Sequence, residues 1–342
     1  EADKRFGATW DRLLPAEVYN RFGPDDQAGE EPLHGTRTFP HRITGGLTAP
    51  GPDFYENLTG GPYGNELTLE LALAALDGER LGADEVPDLL AISFSGTDNV
   101  GHSFGPRSHE VLDIFARLDG QLATLLAALD KRLDTRYAVL LTSDHGLTPL
   151  VEVSRAVGYA AARIKPDTTP DSLREVLEAK LDAEFGVGDW VAYLDDENLY
   201  LNRTLAVECQ VAFDRVCRVA GETLLGIDGI DAYITAADRY SAATSSDPRL
   251  AALAAWYHAK RSGDVVFVTA PFSLVRDDPD GTAHGSPYSY DTHVPLIAYR
   301  CGVAPGIWRH PVSPLDVAPT LAALLGTGLP SNCQGSALDP GR

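Results

Sequence analysis

The stretch from Asp88 to Thr142 limits most sharply what this chain can fold into. Asp88 to Ser95 (DLLAISFS) is a compact apolar run ending in small polar residues, the pattern of a strand buried in a parallel sheet. Ser108 to Leu133 then reads as a long helix, with Ser108 as its N-cap and Glu110 in the first turn. Leu112, Phe115, Leu118 and Leu122 lie along one face of that helix. Tyr137 to Thr142 (YAVLLT) is a second buried-strand run, and strand, helix, strand is the βαβ unit of an open parallel sheet.

The rest of the pattern is consistent with an α/β chain. Residues 1–60 are rich in Gly and Pro and read as irregular structure with short helices, whereas Asn65 to Leu81 has the periodicity of an amphipathic helix. Between 147 and 262 the pattern changes. Helices are expected at Ser172 to Phe185 and Leu205 to Leu224, and short strands at Trp190 to Leu194, Leu199 to Asn202 and Ala232 to Thr235. This region is expected to be an inserted cap or an excursion from the main sheet. DVVFVT (264–269) and VPLIAY (294–299) resume the strand character, and Asp316 to Leu325 closes with a helix stopped by Gly326. No repeat or flexible linker interrupts the chain, so residues 1–342 are expected to form one domain.

Composition removes several function classes. With 28 Lys and Arg against 49 Asp and Glu, the formal charge of −21 repels a nucleic-acid backbone, so no nucleic-acid groove is expected. No apolar run approaches the length of a membrane span. An acidic protein binds an anionic substrate only where a metal supplies local positive charge. The chain lacks Met and begins at Glu1 in a polar stretch, and the expectation is that it does not begin at a translation start. Of the four Cys, Cys209 and Cys217 are too far apart within one helix to bridge, while Cys301 and Cys333 allow a disulfide or two separate thiols.

Three short blocks carry the chemistry. Asp98 and His102, in SGTDNVGH, follow the first apolar run directly, at the carboxyl edge where such sheets bind ligands. A carboxylate and an imidazole four residues apart suit a divalent metal such as zinc. Asp144 and His145, in SDHG, leave the second run in the same way. His293, in DTHVPLIAY, precedes the last strand, with Asp291 as a partner able to orient an imidazole. Three His and two Asp beside buried-strand runs point to a dinuclear metal site. His34, His41, His109, His258 and His310 read as surface or packing residues, and His284 as loop packing with a supporting role at the site left open.

FSGTDNVGHSFGPRSHE, LLTSDHG, SPYSYDTHVPLIAY and DVAPTLAALLG together resemble the alkaline phosphatase superfamily. The likeness is nearest to bacterial alkaline phosphatases related to the nucleotide pyrophosphatase/phosphodiesterase branch; PYGNELTLELALAAL and RLDGQLATLLAALD are similar to the same branch. The resemblance runs from about Thr9 to Leu338. It implies a three-layer α/β sandwich with a mostly parallel central sheet, helices on both faces and a cap at about 147–262. It also implies two zinc ions, one held by Asp98, His102 and His293, the other by Asp144 and His145. The family completes the second site with an upstream Asp and a Thr or Ser nucleophile. Residues 1–87 offer Thr44, Thr48, Thr59 and Thr68, none following a buried strand, so the chain is expected to be the C-terminal part of a longer enzyme. The implied activity is hydrolysis of a small-molecule phosphate monoester through a phospho-enzyme, in the periplasm or outside the cell. The alternatives are a phosphodiesterase or nucleotide pyrophosphatase, and a metal-binding or interaction protein without catalysis.

Overall fold

Helix α5 (His109–Leu133) organises the N-terminal part of the chain, and its start follows from capping chemistry. Ser108 accepts a hydrogen bond from Val111 N at 3.1 Å, satisfying one of the amides a helix start leaves free. The computed structural model describes residues 1–33, 35–166, 172–302 and 305–338; His34 therefore lies outside the described residues. Before α5 come β1 (Thr9–Trp10), α1 (Ala16–Tyr19), β2 (His41–Arg42), α2 (Pro52–Thr59), α3 (Pro62–Gly78) and α4 (Gly96–Phe104). Of these, β1, α1 and the turn between them are fixed to α5 by the buried Asp113 carboxylate. It accepts from Trp10 Nε1 at 2.6 Å, Leu13 N at 2.7 Å, Tyr19 Oη at 2.5 Å and Arg117 Nε at 2.6 Å. Around that centre Trp10, Phe39, Ile43, Phe54, Val100, Phe104 and Ile114 form one apolar cluster.

After α5 the chain runs through β3 (Val139–Thr142), α6 (Val151–Ala156), β4 (Arg163–Ile164), α7 (Leu173–Phe185), β5 (Val191–Asp195) and β6 (Asn198–Leu201). It continues with α8 (Arg203–Glu208), α9 (Phe213–Leu224), β7 (Ile230–Thr235), α10 (Arg239–Ala243), α11 (Pro248–Trp256), β8 (Val265–Thr269) and β9 (Leu274–Val275). Last come α12 (Ser289–Thr292), β10 (Leu296–Tyr299) and α13 (Val317–Leu325), the last ending at Gly326 in the left-handed conformation.

The largest sheet has the order β5-β6-β8-β7 and is antiparallel throughout. Strand alternation serves both of its faces. Val265 and Phe267 point into a cluster with Leu177, Leu181, Val216 and Leu224 of α7 and α9, whereas Val266 and Val268 meet Ala242 and Leu253 of α10 and α11. Helix, sheet and helix layers stack here as expected for the chain, but the sheet is antiparallel, not mostly parallel, and three of its four strands lie in the region expected to be a cap. Strand β8, expected to resume the main sheet, is instead paired between β6 and β7. The parallel pairing among the described residues joins β4 to β9, and β3 pairs antiparallel with β10.

Two local expectations are corrected. Asp88 to Ser95 is not a buried strand: residues 87–94 join no sheet, and Leu89 is 59% exposed. An apolar run becomes a strand only where a partner offers its own backbone groups, and no described segment does so here. The expected helix from Leu205 to Leu224 is broken into α8 and α9, with Gln210 at positive φ between them. The Cys thiols are all free, so the disulfide allowed between Cys301 and Cys333 is not formed.

Candidate metal centre

Asp98 and His102 lie not on a loop but on α4, one turn apart on the same face. The start of α4 is held by the buried Asn65 of α3, whose Oδ1 accepts from Gly96 N at 2.9 Å. His102 Nε2 lies 3.5 Å from Asp98 Oδ1. Its other nitrogen, Nδ1, lies 2.8 Å from the Thr282 carbonyl oxygen. A carbonyl can only accept, so Nδ1 carries a proton and Nε2 is the nitrogen turned to Asp98.

His145 reaches the same carboxylate from the loop after β3, with Nε2 4.0 Å from Asp98 Oδ1. Its Nδ1 lies 2.8 Å from Gly146 O, which fixes the same tautomer as in His102. Gly146 is required where it stands, because a Cβ there would come within 2.0 Å of Tyr290 O. That close approach lets Gly146 N donate to Asp291 O at 2.6 Å and Leu147 N to Tyr290 O at 3.1 Å, joining the His145 loop to the segment before β10.

The third imidazole is that of His284, whose Nε2 lies 3.9 Å from Asp98 Oδ1. Its ring stacks on His145 with centroids 3.3 Å apart and sits 5.0 Å from the ring of His102. Ligand atoms of Asp98, His145 and His284 all fall within 4.8 Å of one another. The closeness of His102, together with the other two imidazoles, holds the Asp98 carboxyl below the usual carboxylate range. Asp98 in turn raises His102, while burial and then the neighbouring imidazoles lower His284. One carboxylate and imidazoles with ring nitrogens turned to a common point form a donor set suited to zinc.

Of the five residues expected to bind metal, the structure therefore gathers Asp98, His102 and His145. Asp144 stands at the edge, 87% exposed, with Oδ2 3.5 Å from His145 Nε2. His293 is the C-terminal cap of α12, is exposed, and its imidazole joins no ion pair, hydrogen bond or ring contact among the described residues. Asp291 does not orient an imidazole. It is buried, and its Oδ2 accepts from Ser286 N at 2.8 Å, Ser286 Oγ at 2.5 Å and Thr148 Oγ1 at 3.4 Å. That carboxylate folds the 284–291 segment back on itself, bringing His284 to the cluster. The sequence signal for His284 was its place in AHGSPYSYD, where a His-Gly pair precedes the buried Asp by seven positions.

The chain spans about three-fifths of the length of the relatives it matches. It is 32% identical over 334 residues to alkaline phosphatase PafA of Elizabethkingia meningoseptica, covering 95% of this chain and 59% of that protein. It is 33% identical over 347 residues to a Myroides odoratus protein named calcium-transporting ATPase, covering 98% and 61%. The crystal structure of wild-type PafA superposes with a TM-score of 0.86 at 29% identity, over 97% of this chain and 62% of that one. A profile of the type I phosphodiesterase/nucleotide pyrophosphatase family matches residues 26–287. With that match and the shared fold, the chain belongs to the type I phosphodiesterase/nucleotide pyrophosphatase family, a family of phosphate-ester hydrolases within the alkaline phosphatase superfamily.

Proposed function

We propose that this chain supplies the zinc-binding part of a hydrolase of small-molecule phosphate monoesters, acting in the periplasm or outside the cell. The observation that carries the reading is the convergence of His102, His145 and His284 on Asp98, with the first two rings locked by backbone carbonyls. Asp98, His102 and His284 would hold one ion, and His145 with Asp144 would contribute to a second. Bound zinc supplies positive charge that draws a phosphate ester to an acidic protein and polarises its phosphoryl oxygen. The chain's own part is to present three imidazole nitrogens and a carboxylate in fixed orientations. Thr148 and Thr282 are buried and donate their hydroxyl protons within the fold, so neither is free to attack. The reading assigns the nucleophile, and the phospho-enzyme formed on it, to a Thr or Ser outside residues 1–342.

The test is zinc content after dialysis, together with turnover of a chromogenic monoester and diester by this chain and by the whole protein. The chain is expected to retain about one zinc and turn over neither ester, with the whole protein favouring the monoester. Preference for the diester would move the substrate to nucleotides. Turnover by the chain itself, abolished by changing an internal Thr or Ser, would overturn the assignment of the nucleophile.

A further inference from the structure

The three imidazoles stand on three separate segments, and one residue ties those segments together. Thr282 is fully buried, two positions before His284. Its backbone clasps α4 in both directions: Thr282 N donates to His102 O at 2.7 Å, and Thr282 O accepts from His102 Nδ1 at 2.8 Å. The same carbonyl accepts from Arg276 Nη1 at 2.7 Å. Its hydroxyl donates to the carbonyl of Thr148, 134 residues away, at 2.6 Å, and Thr148 N donates back to Ala283 O at 3.0 Å. Thr148 lies three residues after His145, so the hydroxyl joins the His145 loop to the His284 segment.

We propose that Thr282 is a positioning residue that sets the spacing of the three imidazoles: its hydroxyl clamps the His145 loop while its backbone fixes the ring of His102. A buried threonine that merely filled space would be replaced by valine at little cost. Here valine leaves the Thr148 carbonyl without its partner and removes one of the two hydrogen bonds that join the His145 loop to the His284 segment. Gly281 makes the clasp sterically feasible. It sits at φ +75°, and a Cβ there would come within 2.8 Å of His102 O, so Gly281→Ala pushes the same backbone off α4 without removing a side-chain hydrogen bond.

The inference rests on the zinc reading for one of its two readouts. The first readout is the Kd for zinc, from competition with a chromogenic chelator, for the wild-type chain, Thr282→Val, Thr282→Ser and Thr235→Val. Thr235 is a control on β7, also buried, with its hydroxyl donating to Asp238 Oδ2 at 2.8 Å. Thr282→Val is expected to weaken zinc binding about tenfold, Thr282→Ser to restore it, and Thr235→Val to leave it unchanged. The second readout is the His102 Nδ1–H resonance of the metal-free chain, expected to be protected in wild type and in Thr282→Val, which keeps the accepting carbonyl, and lost in Gly281→Ala, which displaces that backbone. Should Thr282→Val fail to fold, Gly281→Ala carries the comparison in both readouts. A wild-type chain that holds no zinc would sink the metal reading alone, and the resonance would still decide the positioning role. Thr282→Val losing stability while keeping zinc affinity, or Gly281→Ala keeping the His102 resonance, would overturn the proposal.

Discussion

Strands β8 and β10 are written in much the same alphabet, VVFVT and LIAY, yet they end in opposite surroundings. Every residue of β8 is buried between two helical layers. In β10 Ile297 is 54% exposed, and no residue of β3 or β10 belongs to an apolar cluster among the described residues. His145 and His284 of the candidate metal centre stand toward the loosely covered end, on the segments after β3 and before β10, whereas Asp98 and His102 stand on α4, whose Val100 and Phe104 are packed into the N-terminal cluster. Where packing does not hold the backbone, polar contacts must: the carboxylate of Asp291, the clasp of Thr282 and the close approach at Gly146 do so here. The site thus joins one helix held by apolar packing, α4, to two segments held by polar contacts, those of His145 and His284.

The sharpest way to break that contrast is to remove one large side chain from each sheet. Phe267→Ala on β8 opens a cavity in the α7–α9 layer and is expected to cost about 3–5 kcal/mol in urea unfolding. Ile297→Ala on β10 removes a side chain already in water for half its surface and is expected to cost well under about 1 kcal/mol. Equal losses would show that the β3–β10 pair is packed as firmly as the large sheet.

A second comparison falls within the site, between two histidines nine residues apart. His284→Ala is expected to weaken zinc binding by more than about 100-fold, since losing a ligand costs more than losing a partner that orients one. His293→Ala is expected to leave it unchanged. The reverse result, read by the same chelator competition, would restore the assignment drawn from the sequence.

That pair also shows where the sequence stopped being legible. The capped helix α5, the run VLLT of β3 and the terminal helix with its Gly326 stop are local events, and local signals locate them. Asp98, His102 and His145 stand out in the sequence because each comes soon after an apolar run, although only the second of those runs, before His145, is a strand. His293 had the same credential, standing before VPLIAY, but the deciding interaction was the Asp291 carboxylate capturing Ser286 and Thr148, the latter from 143 residues away. Strand pairing failed for the same reason. DLLAISFS and DVVFVT are equally apolar, and nothing within either run says which will find a neighbour.

The smallest effect lies in the well-packed N-terminal layer, where burial has consequences for pH. Glu110, on α5, and His41, on β2, are both fully buried, with His41 Nε2 2.9 Å from Glu110 Oε1. Burial pushes Glu110 up to about 9 and His41 down to about 4, so the pair is neutral, with the carboxylic acid donating to the ring. Glu30, also buried, is pushed up to about 8. A carboxyl that keeps its proton only in the folded state contributes stability at low pH that is lost as pH rises, here from about 4.5 toward 9 for Glu110. His41 has the opposite sign, losing stability as pH falls from 6.5 toward 4, so neutral and alkaline pH isolates the carboxyls. Each such group removes at most about 1.4 kcal/mol per pH unit. Glu110→Gln keeps a donor for His41 without a proton to lose. Urea unfolding of wild type should weaken steadily up to pH 9, whereas the variant, still carrying Glu30, should flatten above about pH 8. Parallel profiles for the two proteins would show that Glu110 is ionised inside the fold, balanced by a charge that the neutral pairing with His41 does not supply.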